Sequence, residues 1–277
     1  MLAVLFSTIG SFFEEASSSI IKYETENKKE SVYSAGFINM LFSVIILGII
    51  AFVRGSFIFN FASLPTFITR IFLEIAQMQM TFLAIMKNDR STFTFVRNLT
   101  IPLLLIVDIA IGFTISSTQW AGILIILSVI GVVLYFHIIN LKGVGYSLFT
   151  AVNAVATISL YKYNITNFNS VEAEQIIVLT ILALYFFGMA IFWRKENPFN
   201  LLKERVFFAH GFSQGISSIF HSFALAFGTP GVVISAKRAS GVLMGTIFGH
   251  NYFSERKFGT KLVMGVIIII GLVFLAI

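Results

Sequence analysis

Lys237 and Arg238 stand side by side in the middle of TPGVVISAKRASGVLMGTIFG, an apolar run of helical length at residues 229–249. An ammonium beside a guanidinium is chemistry for holding a carboxylate or phosphate, since the planar fork of arginine matches both groups. Putting either cation at the centre of a membrane helix costs about 2.5–3.5 kcal/mol, so such residues face a bundle interior or a watery cavity. Neighbouring residues on a helix are about 100° apart, so both can address one cavity. The other apolar runs carry their own ionisable groups: Glu14, Glu15, Glu74, Arg97, Asp108, His210 and His221. Glu14 lies on a narrow polar stripe with Ser7, Ser11 and Ser18, and Glu15 is beside it. A desolvated glutamate there can titrate near neutral pH, which makes Glu14 and Glu15 the proton-coupling candidates. A second role is open to Glu14, Glu15, Glu74 and Asp108, namely neutralising the buried cations for structure alone.

Several chemistries drop out. The chain has no cysteine, which removes disulfides, thiol catalysis and cysteine-ligated metals. His210 and His221 are eleven residues apart and do not by themselves make a metal site. GFSQG at 211–215 matches the G-x-S-x-G pattern, but that motif needs a strand, a sharp turn and a helix, and here it sits inside an apolar helical run. Catalysis by Ser213 is therefore not expected, and neither is any cofactor or resident metal. The net charge of +6 is concentrated in KYETENKK and WRKENPFNLLKER, which reads as loop ends meeting lipid headgroups and not as a nucleic-acid surface. No P-loop motif is present.

The elements that must position these residues are membrane helices. The chain is 57% apolar with 32 Phe and only 12% charged, against about a quarter charged in soluble domains. Runs of about 20 apolar residues, the length of a span, occur near 2–21, 33–53, 65–86, 92–113, 118–139, 143–161, 172–193, 206–227, 230–250 and 260–277. The expectation is an all-α polytopic membrane protein with ten transmembrane helices. The first run has no basic leader or small-residue cleavage site, so it reads as a retained helix. Lys and Arg cluster in the loops after spans 1, 3, 5, 7 and 9, which places that face in the cytoplasm by the positive-inside rule and both termini outside.

The chain also repeats. Arg70, Glu74, Gln77 and Thr81 share their spacing with His210, Gln214, Ser217 and His221, 140 residues later. Lys22-Tyr23 meets Lys162-Tyr163, and Arg97 falls 141 residues before Arg238. Two five-helix repeats follow, 1–140 and 141–277. An odd number of spans inverts the second relative to the first, an arrangement common in secondary transporters with a midplane site between the halves. Pro102 lies inside the fourth run, where it frees the carbonyl of Asn98 and predicts a kink just after Arg97. Thr229-Pro230 reads as an N-cap with a first-turn proline, and Gly241, Gly245 and Gly249 continue an i, i+4 ladder from Lys237 for close helix packing.

The stretch SFALAFGTPGVVISAKRASGVLMGTIFGHNYFSERKFGTKLVMGVIIIIGLVFLAI resembles the closing helices of the drug/metabolite transporter superfamily, specifically its EamA-like members. The features that carry the likeness are the Lys237-Arg238 pair in the ninth helix, the glycines after it and the Phe253-Ser254-Glu255-Arg256 turn. The first half matches loosely, with FTISST in place of the Glu-Arg turn. The resemblance implies a secondary transporter of a small polar or anionic metabolite, of amino-acid or organic or phosphorylated acid class. It would work by alternating access, with proton coupling or exchange. Plastid phosphate translocators of the superfamily hold substrate phosphate with such a Lys-Arg pair, whereas the Gly-Ala-Leu-Asn-Lys motif of nucleotide-sugar transporters is missing. Small multidrug exporters carry one glutamate in their first helix, which Glu14 or Glu15 resembles, so an exporter of cationic compounds is the alternative. An intramembrane hydrolase using Ser213 and His221 is a more distant one. The substrate-binding candidates are Lys237, Arg238, Arg97, Glu14, Glu74, Gln77, Gln214 and His221. The expected partners are a small-molecule substrate, lipid, and protons or a counter-substrate, in an inner or plasma membrane, with a homodimer compatible. Characterised members of the superfamily often keep both termini in the cytosol, opposite to the charge count.

Overall fold

A computed structural model describes residues 2–26, 31–110, 116–136, 138, 140–227 and 230–276. Among them there is no strand, and the chain forms α1 (Leu2–Glu26), α2 (Val32–Arg54), α3 (Leu64–Lys87), α4 (Arg90–Arg97), α5 (Thr100–Ala110), α6 (Ser117–Tyr135), α7 (Val144–Asn167), α8 (Val171–Gly188), α9 (Arg205–Phe227), α10 (Pro230–Phe253) and α11 (Phe258–Ala276). Each apolar run is one helix, except the fourth, which is two. The break lies at Asn98–Leu99, where Pro102 has no N–H to return to the Asn98 carbonyl, and Ile101 N donates to it instead at 3.1 Å. The expected kink after Arg97 is thus a full interruption. The side chain of Asp108 lies outside the described ones, as does Thr229 of the expected Thr229-Pro230 cap.

Local signals set the other ends. Ser31 accepts from Ser34 N to cap α2, and Gly55 closes that helix in the left-handed region at φ 59°. Ser170 caps α8 through Ala173 N. α8 runs on into a π-helical turn, Met189–Arg194.

The protein is built with its polar groups inside. Arg70, Arg90, Glu174, Asn164 and Ser7 are all buried, while Phe52 is 89% exposed and Phe192 84%. Water would not tolerate that outward apolar surface; lipid does. Trp120, Tyr135, Tyr163, Trp193 and Tyr252 are exposed near helix ends, where amphipathic rings sit at headgroup level. Four described helical segments are long and apolar enough to cross a membrane: Val32–Arg54, Phe61–Lys87, Val144–Asn167 and Val171–Arg194.

Two large apolar bodies form among the described residues, beside a smaller one around Tyr161, Ala224 and Val233. One is centred on α2, α3 and α8, with Phe37, Phe82 and Phe186 at its heart; the other joins α4, α5, α6, α10 and α11 around Phe95, Ile126 and Ile268. The most extensive helix pairings are α1 with α9, α2 with α8 and α9, α1 with α10, α6 with α11, and α3 with α7. α1 and α9 run antiparallel, since Phe6 meets Phe227 at one end and Ser17 meets His210 towards the other. α3 and α7 do likewise: Lys87 reaches Tyr146, and Thr66 reaches Asn164. α1 and α10 are parallel, with Ser11 against Lys237 and Lys22 over Phe253.

Candidate functional site

A cavity of about 250 Å³ lies between these helices. Its walls bring together all eight substrate-binding candidates: Glu14 from α1, Glu74 and Gln77 from α3, Arg97 from α4, Gln214 and His221 from α9, and Lys237 and Arg238 from α10. The two polar stripes read from the repeat, Arg70 to Thr81 and His210 to His221, line this same cavity.

Glu14 is its electrostatic centre. Oε2 lies 2.7 Å from Lys237 Nζ, and Oε1 is 3.5 Å from Arg97 Nη1. His221 Nε2 approaches Oε2 to 2.9 Å without the alignment of a full hydrogen bond, and both ring nitrogens of His221 lack a hydrogen-bond partner. The ring gets that close because residue 10, one turn before Glu14, is glycine; a Cβ there would stand 2.8 Å from His221 Cε1. Ser11 donates to Ser7 O at 2.8 Å and lies 3.1 Å from Lys237 O, which fixes α1 against α10. Arg97 stacks on the Phe93 ring at 4.8 Å.

Arg238 differs from its neighbours. It is 6% exposed, and among the described residues its one side-chain bond is a long contact from Nη2 to Thr100 Oγ1 at 3.4 Å and its Nε has no partner. No carboxylate lies within ion-pair range of it among the described residues. Arg97 Nε is also without a partner. Arg97 and Lys237 therefore share the carboxylate of Glu14 while Arg238 has none, and with Arg70 and Glu74 the described wall carries four cations against two carboxylates, an excess of two positive charges. Buried guanidinium N–H groups left unmatched are costly, and an anion entering the cavity would match them.

The remaining candidates divide. Gln77 spends its amide on α7, donating to Thr150 O at 3.1 Å and accepting from Asn153 at 2.9 Å. Glu74 faces the cavity with only a 3.5 Å contact to Arg70. Gln214 lines the wall. Glu15 is not in the main cavity: it turns to the other side of α1 and pairs with Arg90, which is fully buried. Ser213 lies mid-helix in α9 and donates to Phe13 O at 3.0 Å, without the strand and sharp turn of a hydrolase nucleophile.

Three groups prove important to the frame, of which only Glu255, in the Phe253-Ser254-Glu255-Arg256 turn, stands out in the sequence. Arg90 is fully buried at the start of α4, where it pairs with Glu15. Glu174 is fully buried at the start of α8, 2.7 Å from Arg70 Nη1, and also accepts from Asn164 at 2.8 Å and from Asn169. Glu255, in the turn before α11, takes the first backbone N–H groups of α4 at Arg90 and Ser91, the Ser91 hydroxyl, and Lys261 Nζ at 2.9 Å. No cluster of His, Cys, Asp and Glu suited to a metal occurs among the described residues. No protein-family model matches the chain, and no curated protein is significantly similar to it.

Proposed function

We propose that the chain is a ten-span secondary transporter of the drug/metabolite type, built as inverted repeats 1–140 and 141–277, which carries a small anionic or zwitterionic metabolite by alternating access. The observation that carries the reading is the excess of cations in a cavity of about 250 Å³, Arg70, Arg97, Lys237 and Arg238 against Glu14 and Glu74, with Arg238 lacking any acidic partner among the described residues. That volume suits a metabolite and not a macromolecule. Exchanging the halves turns α1 with α9 into α7 with α3, and α1 with α10 into α7 with α4. It leaves the pairings α2 with α8 and α6 with α11 unchanged. This correspondence supports a pseudo-twofold relation between repeats and a site between them. A cationic substrate is disfavoured because Glu14 is already claimed by Lys237, Arg97 and His221.

The test is thermal stability of purified protein against carboxylate, phosphate, amino-acid and lipophilic-cation probes, beside Lys237→Ala/Arg238→Ala. A probe at a hundredfold excess over its Kd stabilises by about 2.7 kcal/mol. Stabilisation by anions or zwitterions that disappears in the double variant is expected, with uptake of the same compound into proteoliposomes. Stabilisation by cations alone, unchanged in the variant, overturns the reading.

A further inference from the structure

A second, much smaller pocket of about 20 Å³ lies between α1, α4 and α10. It shares Glu14, Arg97, Lys237 and Arg238 with the main cavity, but Ser11, Glu15, Thr94 and Gly241 line it alone. A single water needs roughly 10–15 Å³, so this space holds one water-sized or halide-sized occupant. We infer that it is a resident site for a monovalent inorganic anion of halide size, held by Arg238 and Arg97.

Both carboxylates at the pocket are already engaged, Glu15 by Arg90 and Glu14 by Lys237 and Arg97. Counting Arg90, Arg97, Lys237 and Arg238 against Glu14 and Glu15 leaves four cations facing two anions. The excess sits at Arg238, the most buried cation of those lining the pocket, whose Nε lacks an acceptor, as does that of Arg97. A neutral water could accept from these donors but would leave the charge uncompensated; a small anion does both. Ser11 and Thr94 spend their hydroxyl protons on backbone carbonyls, so the guanidinium groups are the available donors. The room exists because residue 241 has no side chain: a Cβ there meets only Glu15 Oε1, at 3.8 Å. The site rests on the same Arg97 and Arg238 as the transport reading and differs from it in the walls formed by Ser11, Glu15, Thr94 and Gly241, which the main cavity does not share.

Gly241→Ala puts a methyl group into the pocket without a clash and touches no wall of the main cavity. Purified protein should melt about 5 °C higher in bromide or chloride than in gluconate of equal ionic strength, with saturation. Gly241→Ala should lose that halide response while matching the wild-type Tm in gluconate. Anomalous scattering from bromide-grown crystals of the wild type should give one peak between Arg97 and Arg238, which keeps the test independent of the variant. Equal Tm in halide and gluconate identifies the occupant as water and overturns the inference. A halide response retained in Gly241→Ala, or no peak at this position, places the anion elsewhere and overturns it too. Metabolite probes should stabilise Gly241→Ala as they do the wild type, so failure of the halide site and failure of the transport site are separate results.

Discussion

Glu14→Gln separates an anion site from a cation site by sign. The variant keeps the shape of the side chain and removes the charge that Lys237 meets at 2.7 Å and Arg97 at 3.5 Å. Removing one partner of a fully buried ion pair costs about 3–5 kcal/mol. Here both Glu14 and Lys237 are 20% exposed towards the cavity, so solvent screens the loss. We expect about 2 kcal/mol of destabilisation, which lowers Tm by roughly 4–8 °C in a protein of this size. The same change frees Lys237 and Arg97 from their shared carboxylate, beside an Arg238 that has none. A carboxylate or phosphate probe that stabilises the wild type should therefore bind Glu14→Gln about tenfold more tightly, returning about 1.4 kcal/mol of the loss. The assay is a titration of each protein by calorimetry, with Tm followed over the same concentrations. Weaker anion binding in Glu14→Gln, or loss of a cation that bound the wild type, would show that Glu14 itself is the ligand and refute the reasoning.

Other outcomes follow from packing and burial. Arg70→Met leaves Glu174 fully buried without its cation and should cost about 3–5 kcal/mol, whereas Arg70→Met/Glu174→Met should recover most of it; a simple sum of the single effects in a thermal melt would refute the pairing. Gly245→Ala drives a Cβ to 2.6 Å from Thr94 Cγ2 and should destabilise by about 1–3 kcal/mol, relieved in part by Thr94→Ala, while Gly48→Ala, with open space around it, should be neutral or stabilising by up to about 1 kcal/mol. Burial, then the neighbouring Glu255 carboxylate, raises the Asp89 carboxyl above its ordinary range. Ionising it in the folded protein is thus unfavourable, so stability declines as pH rises through the unfolded and then the folded titration. Asp89→Asn should melt higher than the wild type near pH 8, and the gap should close as pH falls below the ordinary aspartate value of 3.8, where both side chains are neutral.

Much of this architecture is legible in the chain because lipid imposes a strict length on apolar runs. Helix ends fall within a few residues of the run ends, and Pro102 marks the break at Asn98 because a missing N–H has one predictable victim. The cavity was legible through i, i+4, i+7 polar stripes such as Arg70 to Thr81, since a polar face in lipid must point inward. What pairs with what was not. Glu14 and Glu15 are adjacent and identical in type, yet a turn of about 100° sends one to the cavity and the other to Arg90. Glu174 and Arg90 sit at helix starts, where charges are usually solvated, and only the fold reveals that both are sealed. Glu255 serves a helix 165 residues away from it, a partnership that no local spacing encodes.

That last partnership bears on how the protein is made. The first backbone N–H groups of α4, at Arg90 and Ser91, depend on a carboxylate that is synthesised after ten of the eleven α-helices. Until the hairpin of α10 and α11 is inserted, α4 lacks the Glu255 carboxylate at its start and the Lys261 that holds it. The start of α4 is therefore completed only once the α10–α11 connection has been made. A nascent chain stopped before Glu255 should expose the α3–α4 connection to proteases, and one that carries Glu255 and Lys261 should hide it. The order of synthesis is thereby coupled to the stability of a helix start far upstream.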